Sequence, residues 1–259
     1  MSQTYVISGG TSGIGAALVD RLLAQGALVF NLDVAPHPSN SVNTILCDLS
    51  EPAAIDAAVD KLPQHINGLV SCAGVAPGAL PELKVMQINF LGMRYLTERL
   101  LPRVLDNGSV VTVASSAGRD WRENIDNVVA MLDCASFATG TTWLQENVRR
   151  WDAESYRFSK QCAAAYTYRA AGLAHDRGVR VNCINPGIVA TGLSPAFKKM
   201  VGEARYDLIV EASGRPGRPD DVAEVAEYLL TGECRWLNGT EITVDGGYYA
   251  GVVGGWINI

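Results

Sequence analysis

The sequence has few of the residues from which metal sites and secreted scaffolds are built. Its three histidines lie far apart, with no HExxH motif and no cluster with cysteine, so a metal site finds no support. The six cysteines are scattered and include no CxxC pair, a pattern that favours free thiols in a reducing compartment. A GxSxG motif is also missing, which leaves a serine hydrolase unsupported.

Long apolar runs and an excess of positive charge are absent as well. No apolar run reaches about 20 residues, the length that spans a bilayer, and the opening MSQTYVISGG lacks the basic segment and apolar core of a signal peptide. We therefore expect a cytoplasmic protein that does not use a membrane as a partner. The formal net charge of −6 argues against nucleic acid as a partner.

What remains is the composition of a compact enzyme-sized domain. The chain has 259 residues, of which 48% are hydrophobic and 19% charged, enough apolar surface for a well-buried core and too much for a disordered chain. Strand-like runs alternate with helical ones from the start of the chain. This order predicts one α/β domain over residues 1–259, with a parallel sheet and right-handed crossovers.

A glycine-rich turn follows the first predicted strand. Residues 4–8 have the pattern of a buried strand, SGGTSGIG follows, and a helical pattern begins directly afterwards. In this context the glycines allow a tight turn, and the helix N-terminus offers free N–H groups to a pyrophosphate. The alternative is an ordinary glycine-rich turn between a strand and a helix. We predict a nucleotide-binding turn that contains Gly9, Thr11, Ser12, Gly13 and Ile14.

Asp33 stands at the carboxyl end of the second predicted strand. A carboxylate there accepts hydrogen bonds from the ribose hydroxyls and repels a 2′-phosphate. No Arg or Lys occurs in the glycine turn or beside Asp33. The predicted cofactor is therefore NAD(H) rather than NADP(H), although Asp33 could also be a plain turn residue at the strand end.

Two further strand ends carry candidate cofactor contacts, because ligands bind at the carboxyl ends of parallel strands. Asp48 and Leu49 end the third predicted strand, where Asp48 could reach adenine or could equally cap the next helix. Cys72, Ala73 and Gly74 form a small-residue turn after the fourth strand.

Tyr156 and Lys160 lie four residues apart in a run of good helix formers, so both side chains would share one helix face. A free tyrosine has a pKa of about 10, and a neighbouring ammonium favours the phenolate and lowers that pKa. Such a tyrosine can take a proton from an alcohol or return one to a carbonyl. This spacing alone is more often found on a plain surface helix, so its meaning depends on the other motifs.

The motifs in their order resemble the classical short-chain dehydrogenase/reductase family. Each is weak alone, and the ordered set is specific. The matches are the turn SGGTSGIG, Asp33, Cys72-Ala73-Gly74, Asn89, the strand end at Ser115, Tyr156-x-x-x-Lys160, the segment NPGIVAT and the C-terminal VDGG. The resemblance implies a single-domain Rossmann fold, with a doubly wound parallel sheet of about seven strands.

The resemblance also implies roles for four residues near the substrate. Tyr156 would be the general acid/base, and Lys160 would lower its pKa and hold the nicotinamide ribose. Ser115 would hydrogen-bond the substrate oxygen. Asn89 would hold a water in the proton relay; from the helical pattern alone it is either a hydrogen bonder between helices or a functional residue.

The segment after the sixth predicted strand would bind the nicotinamide end of the cofactor. By resemblance, Ile188 and Thr191 contact the carboxamide, and Pro186 and Gly187 belong to the same cofactor-binding segment.

The chain departs from the family pattern at three places. Cys72 stands where the family usually has Asn, residues 35–43 look like a bare loop, and Ser115 and Tyr156 are 41 residues apart. The last two features resemble a subgroup with bacterial 3α-hydroxysteroid dehydrogenase/carbonyl reductase and coniferyl-alcohol dehydrogenase. The long gap contains a helical insertion over 119–154, either at the rim of the active site or a surface excursion without a catalytic role.

Together these features predict an NAD-dependent alcohol dehydrogenase or carbonyl reductase. The segment 192–213 is placed as a lid over a bulky apolar, aromatic, terpenoid or steroid alcohol. We expect a homodimer or homotetramer, and an apolar C-terminal tail that packs on a neighbouring subunit or over the site. The alternatives are an NAD(H)-binding sensor without turnover, an NADP-preferring carbonyl reductase, and an extended-type epimerase or dehydratase, for which the chain looks too short.

Overall fold

The computed structural model describes residues 2–151 and 154–257. Asp152 and Ala153 of the predicted insertion, and the last two residues of the tail, therefore lie outside the described residues. The centre of the molecule is a sheet of parallel strands. These are β1 (Thr4–Ser8), β2 (Leu28–Asp33), β3 (Asn43–Leu46), β4 (Ile66–Ser71), β5 (Val104–Val113), β6 (Arg180–Pro186) and β7 (Glu241–Val244).

The strand order is β3-β2-β1-β4-β5-β6-β7, and each neighbouring pair is parallel. The direction of winding changes between β1 and β4, so a crevice opens there at the carboxyl ends of the strands. The predicted doubly wound sheet of seven strands is confirmed. Residues 34–42 form no helix between β2 and β3, as expected from their polar, proline-containing sequence.

Helices surround the sheet. They are α1 (Gly13–Ala24), α2 (Pro52–Val59), α3 (Glu82–Met86), α4 (Met93–Leu100), α5 (Ile125–Leu132), α6 (Phe137–Glu146), α7 (Ser155–Leu173), α8 (Ser194–Val201), α9 (Glu203–Ala212), α10 (Pro219–Thr231) and α11 (Tyr248–Gly254). A π-helical turn, Gln87–Gly92, joins α3 to α4. No helix in the described part of the chain is long and apolar enough to cross a membrane.

Alternation along the strands builds a core on each face of the sheet. On β5, Val110 belongs to the core that contains α2, α4 and α7, whereas Val111 belongs to the core formed with α1 and α10. This is the two-residue period of a strand with both faces buried. The two cores hold the sheet in place, and the carboxyl ends of its parallel strands share the edge at which the crevice lies.

The helical insertion differs from its predicted form. The sequence pattern indicates one helix over 124–137 followed by a break at ATGTTW, and this prediction is wrong. Residues 138–143 lie within α6, and the break falls between α5 and α6. Ser136 and Thr139 form a capping box there, with the Ser136 Oγ accepting from the Thr139 N–H at 3.2 Å, and such a box starts a helix in a sequence of weak helix formers.

The insertion packs on α7 and is part of the main core. Trp143 stacks on Phe158 with ring centroids 6.1 Å apart, and Leu144 is fully buried. Trp151 is also buried, and its Nε1 donates to the carbonyl oxygen of Leu144 at 2.8 Å. This part of the insertion is therefore packed in the core, and a role of the insertion in catalysis stays a prediction.

The predicted lid is helical. Its two helices, α8 and α9, meet at Gly202, which has a φ of +85°, a conformation that favours glycine. None of the residues of these helices is fully buried, so the segment lies on the surface beside the strand ends, and its function as a lid stays a prediction.

Replacing Leu144 with Ala tests whether the insertion shares the main core. A buried Leu→Ala change removes packing and leaves a cavity, so we expect about 2–5 kcal/mol less free energy of unfolding and a lower Tm. The control is Leu173→Ala at the end of α7, where the side chain is 66% exposed and the expected change is within about 0.5 kcal/mol. Equal unfolding curves for the two variants, followed by circular dichroism, would contradict the packing described here.

Candidate active site

A cleft with a volume of about 1040 Å³ runs along the carboxyl ends of the strands. It brings together most of the predicted site residues. Those that line it are Gly9, Ser12, Gly13, Ile14, Asp33, Asp48, Leu49, Cys72, Ala73, Gly74, Ser115, Tyr156, Lys160, Pro186, Gly187, Ile188 and Thr191. Thr11 and Asn89 do not line the cleft and instead hold its walls.

The glycine turn has the geometry that an approaching pyrophosphate requires. Gly9 and Gly13 have φ values of +76° and +55°, which side chains rarely allow. A Cβ on Gly15 would overlap the carbonyl oxygen of Gly9, so only glycine lets α1 start this close to β1. The N-cap Ser12 makes no side-chain capping bond, and no acidic residue lies in the first turn, which leaves the N–H groups and the positive dipole end to a ligand.

Asp33 faces the glycine turn from the end of β2. Its Oδ2 accepts from the Thr11 N–H at 3.1 Å, and its Oδ1 accepts from the Val34 N–H at 2.8 Å. Thr11 completes the connection by donating its hydroxyl to the carbonyl oxygen of Ala35 at 3.1 Å. The carboxylate is therefore fixed at the mouth of the crevice, and its contact with a ribose stays a prediction.

Asp48 lines the cleft and does not cap the following helix. Its Oδ1 accepts from the N–H of Ser50 at 2.8 Å and from its hydroxyl at 2.7 Å, whereas the N-cap of α2 is Glu51. Burial acts to raise the pKa of Asp48, but the hydrogen bonds from Ser50 and the charge of Lys84 outweigh it and lower the pKa. The carboxylate stays charged and oriented beside the cofactor cleft.

Small residues after β4 allow two loops to approach each other. A Cβ on Gly9 would lie 2.6 Å from the nitrogen of Ala73, so the turns after β1 and β4 are in direct contact. Burial raises the pKa of the Cys72 thiol to about 11, with Lys160 and the Gly15 N–H acting in the opposite direction. Cys72 is thus a neutral packing residue at this position, not a reactive thiol.

Tyr156, Lys160 and Ser115 meet at the end of β5. Both α7 residues are buried, at 7% and 6% exposure, and the Lys160 Nζ lies 5.8 Å from the centroid of the Tyr156 ring. The Lys160 Nζ donates to the carbonyl oxygen of Val113 at 3.1 Å. The Ser115 side chain lies close enough to Tyr156 to act on its pKa, and both residues line the cleft.

The pKa of Tyr156 differs from the expectation that Lys160 lowers it. Burial raises this pKa to about 12, and the hydrogen bond with Ser115 acts in the opposite direction. Burial also lowers the pKa of Lys160. The reason is geometric, since the ammonium is directed to the carbonyl oxygen of Val113 and desolvation of the phenol is the larger effect.

Asn89 holds the loop after β4 through its side-chain amide. Its Oδ1 accepts from the Val75 N–H at 2.8 Å, and its Nδ2 donates to the Val75 carbonyl oxygen at 3.0 Å. A Cβ on Gly74 would lie 3.3 Å from the Asn89 Oδ1 and 3.6 Å from the Lys160 Nζ. Asn89 therefore supports the wall beside Lys160, and its contact with a relay water stays a prediction.

The segment after β6 faces the glycine turn across the cleft. The Gly187 N–H donates to the carbonyl oxygen of Val244 at 2.9 Å, and a Cβ there would lie 2.7 Å from that of Asp245. A Cβ on Gly13 would lie 3.4 Å from the Thr191 Cγ2. The segment 186–191, which is predicted to bind the nicotinamide, is thus hydrogen-bonded to the end of β7 at Gly187. At Thr191 it lies against the glycine turn.

Two contacts with the start of α7 were not expected from the sequence motifs. Phe197 of the lid packs edge-on against Tyr156 with ring centroids 5.1 Å apart, and the Ser155 hydroxyl donates to the carboxylate of Glu82. Separately, Tyr248 at the start of α11 lines the cleft, so this part of the predicted apolar tail reaches the site. The contact of Phe197 could have been predicted from the helical spacing of the apolar residues 197, 200 and 201.

Two family models match consecutive parts of the chain. Residues 3–126 match the one described as short chain dehydrogenase, and residues 128–249 match the one described as Enoyl-(Acyl carrier protein) reductase. Together they cover the glycine turn, the α7 pair and the segment after β6.

Similar proteins cover nearly the full chain. The coniferyl-alcohol dehydrogenase of Pseudomonas sp. (strain HR199 / DSM 7063) is 36% identical over 95% of this chain and 96% of its own. The 3-alpha-hydroxysteroid dehydrogenase/carbonyl reductase of Comamonas testosteroni is 26% identical over 93% and 95%, respectively.

A solved structure agrees with the fold. The 3-alpha-hydroxysteroid dehydrogenase from Pseudomonas sp. B-0831, complexed with NADH, superimposes with a TM-score of 0.83 at 29% identity, covering 97% of this chain and 98% of that one. The sheet order agrees with this match, and the glycine turn and the Tyr156–Lys160 pair lie within the parts of the chain that the family models cover. The chain belongs to the short-chain dehydrogenase/reductase family and is an oxidoreductase of that family.

Proposed function

We propose that this protein catalyses the NAD-dependent interconversion of an alcohol and its carbonyl compound. The observation that carries the proposal is that Ser115, Tyr156 and Lys160 lie together at one end of a cleft whose other end is the glycine turn with Asp33. A proton-transfer pair at one end and a dinucleotide cradle at the other are what hydride transfer at an alcohol carbon requires.

The residues of the cleft fit a nicotinamide dinucleotide. The N–H groups at the start of α1 would bind the pyrophosphate, Asp33 the adenosine ribose, and Lys160 the nicotinamide ribose, with residues 186–191 along the nicotinamide. When bound, the nicotinamide accepts or supplies the hydride. The positive φ values in the glycine turn and the overlap that any Cβ on Gly15 would make support this assignment, since they serve close approach by a ligand.

The charge around Asp33 favours NAD over NADP. The carboxylate would be placed against a 2′-phosphate, which it repels. Among the described residues, no Lys or Arg lines the cleft next to Asp33, and the cations that do line it are Lys160, Arg119, Arg157 and Arg205, which belong to other walls. NADP therefore lacks a counter-charge at this end of the cleft.

Tyr156 is assigned the proton transfer and Ser115 the stabilisation of charge on the substrate oxygen. With a pKa raised to about 12 by burial, the Tyr156 hydroxyl is protonated at neutral pH and can donate to the oxygen of a carbonyl substrate. Alcohol oxidation needs the phenolate, which the neighbouring Ser115 side chain favours. Ser115 and Tyr156 line the same cleft, and a hydroxyl beside the proton donor is what stabilisation of charge on the substrate oxygen requires.

The substrate is assigned to the class of bulky apolar or aromatic alcohols. The lid presents Leu193, Phe197, Met200 and Ile209 to the cleft, and Phe197 lies directly on Tyr156. Apolar walls with a few placed polar groups are typical of sites for such ligands. The names of the two relatives, which refer to coniferyl alcohol and to a 3α-hydroxysteroid, point in the same direction.

Replacing Tyr156 with Phe tests the assigned proton transfer. NAD reduction is followed by absorbance with a panel of aromatic, terpenoid and steroid alcohols, and NADH binding is followed by fluorescence. We expect the wild-type protein to turn over members of the panel and Tyr156→Phe to lose turnover while it still binds NADH. The matched control is Tyr228→Phe on α10, where the ring is 55% exposed, with turnover at the wild-type level.

Retained turnover in Tyr156→Phe would refute the role of this hydroxyl. NADH binding without turnover of any alcohol or ketone by the wild-type protein would instead favour a nucleotide sensor.

Replacing Asp33 with Ala tests the cofactor preference. The variant loses hydrogen bonds of a charged acceptor, each of about 1.5–3 kcal/mol, and also loses the repulsion of a 2′-phosphate. We expect the ratio of kcat/KM for NAD to that for NADP to fall by at least about tenfold, the equivalent of 1.4 kcal/mol. The control is Asp20→Ala on the exposed side of α1. An unchanged ratio in Asp33→Ala, or a wild-type preference for NADP, would contradict the assignment.

The pH dependence should differ between the two directions of the reaction. Because the pKa of Tyr156 is raised, the acid form predominates at neutral pH and carbonyl reduction should be flat there and decline only at alkaline pH. Alcohol oxidation should rise with pH as the phenolate forms. Rates of both directions measured across pH, with the fold checked by circular dichroism, test this; an oxidation rate that falls from neutral to mildly alkaline pH in folded protein would be the opposite result.

A further inference from the structure

Ser115 and Asp120 lie at the two ends of one short, ordered turn. The Ser115 Oγ accepts from the Ala117 N–H at 3.1 Å, and the Gly118 N–H donates to the Ser115 carbonyl oxygen at 2.9 Å. These bonds form a 3₁₀ turn over Ser116–Gly118. The position of Asp120 is therefore coupled to that of Ser115 through only a few residues.

The carboxylate of Asp120 joins this turn to α7 at two points. Its Oδ1 accepts from the Gln161 Nε2 at 2.9 Å, and its Oδ2 is paired with the Arg157 guanidinium. Residues 157 and 161 directly follow Tyr156 and Lys160, so they lie one helical step from the face that carries the proton-transfer pair. A carboxylate held by both fixes the rotation of that part of α7 relative to the turn.

Close packing and a buried amide make the connection rigid. A Cβ on Gly118 would overlap the carbonyl oxygen of Lys160 and lie 2.8 Å from the Gln161 nitrogen, so the turn lies directly on the backbone of α7. Gln161 is buried, and its Oε1 accepts from the Asn124 Nδ2 at 2.8 Å. The bond from Asn124 therefore fixes the Gln161 amide in the orientation in which its Nε2 donates to Asp120.

The magnitude of this interaction favours a role in position over a role in stability. The Arg157 and Asp120 side chains are 42% and 24% exposed, and exposed ion pairs of this kind contribute about 0–1 kcal/mol to stability. Catalysis is more sensitive to position, because a displacement of about 1 Å between reacting groups can lower a rate about 100-fold.

We propose that Asp120 is a positioning residue, which holds the Ser115 hydroxyl in register with the Tyr156 hydroxyl by binding Arg157 and Gln161. The inference rests on the proposed alcohol dehydrogenase activity and extends it to a residue of the insertion. Asp120 acts through the turn and the helix, and its removal changes the distance between the two hydroxyl groups that share the substrate oxygen.

The chain provides a matched control for this carboxylate. The Asp133 Oδ1 accepts from the Arg169 Nη2 at 2.6 Å, so it also ties the insertion to α7 by an Asp–Arg pair, but several helical turns from Tyr156. Asp133→Asn therefore measures how the loss of an Asp–Arg pair between the insertion and α7 changes stability. It should leave the active site unchanged.

The first measurement compares kcat and KM in Asp120→Asn and Asp133→Asn. We expect kcat to fall about 10- to 100-fold in Asp120→Asn, with KM for the alcohol, NADH affinity and Tm near those of Asp133→Asn, whose kcat stays at the wild-type level. Gln161→Met removes one of the two bonds at similar side-chain volume and should lower kcat in the same direction by a smaller factor. Gln161→Met therefore tests the same proposal if Asp120→Asn does not fold.

Equal kcat values in Asp120→Asn and Asp133→Asn would overturn the proposal. A rise in KM with unchanged kcat would also overturn it, because that pattern describes direct substrate binding by Asp120.

The second measurement is hydrogen exchange, which needs no substrate. Amides of residues 115–120 and of the first two turns of α7 should exchange faster in Asp120→Asn than in Asp133→Asn or the wild-type protein. Equal exchange rates in the three proteins would overturn the proposed positioning role of Asp120, whether or not a substrate has been found. A wild-type protein without turnover on any alcohol would refute the proposed function instead, so the two failures are distinguishable.

Discussion

A charged ammonium group lies in the interior of this protein, and much of the site follows from its burial. Lys160 is only 6% exposed, and its Nζ donates to the carbonyl oxygen of Val113. Burial lowers the pKa of this ammonium, since a charge away from water is unfavourable unless acceptors are supplied. The end of β5 must therefore lie beside α7, and the same approach brings Ser115 to Tyr156 and requires glycine at position 118.

The insertion completes the surroundings of α7. Fourteen of the nineteen residues of α7 are buried, which a helix on the surface of an open sheet would not show, and α5, α6 and Trp151 supply the cover on its outer side. The same insertion, residues 119–154, begins directly after the turn that follows Ser115. The segment that separates Ser115 from Tyr156 in the sequence is thus continuous with the turn after Ser115, and it contains Asp120, to which we assign the relative position of the two hydroxyl groups.

The sequence allowed the sheet and the cofactor cradle to be predicted because local rules determine them. Strand periodicity, the glycine turn and Asp33 at a strand end each have a direct structural consequence, and the motif order gave the place of Ser115, Tyr156 and Lys160. The break between α5 and α6 was misplaced because the Ser136 capping box outweighs the weak helix propensity of ATGTTW. The contact of Phe197 with Tyr156 and the raised pKa of that tyrosine depend on tertiary packing, which no local pattern contains.

The most direct test of the account is the transfer of a labelled hydrogen. Aromatic, terpenoid and steroid alcohols that carry deuterium on the carbinol carbon would be incubated with NAD and the protein, and the mass of the reduced cofactor would be measured. The account predicts one deuterium per NADH formed, with the carbonyl compound as the other product. Binding of NADH with no deuterium transferred from any of these alcohols would contradict it.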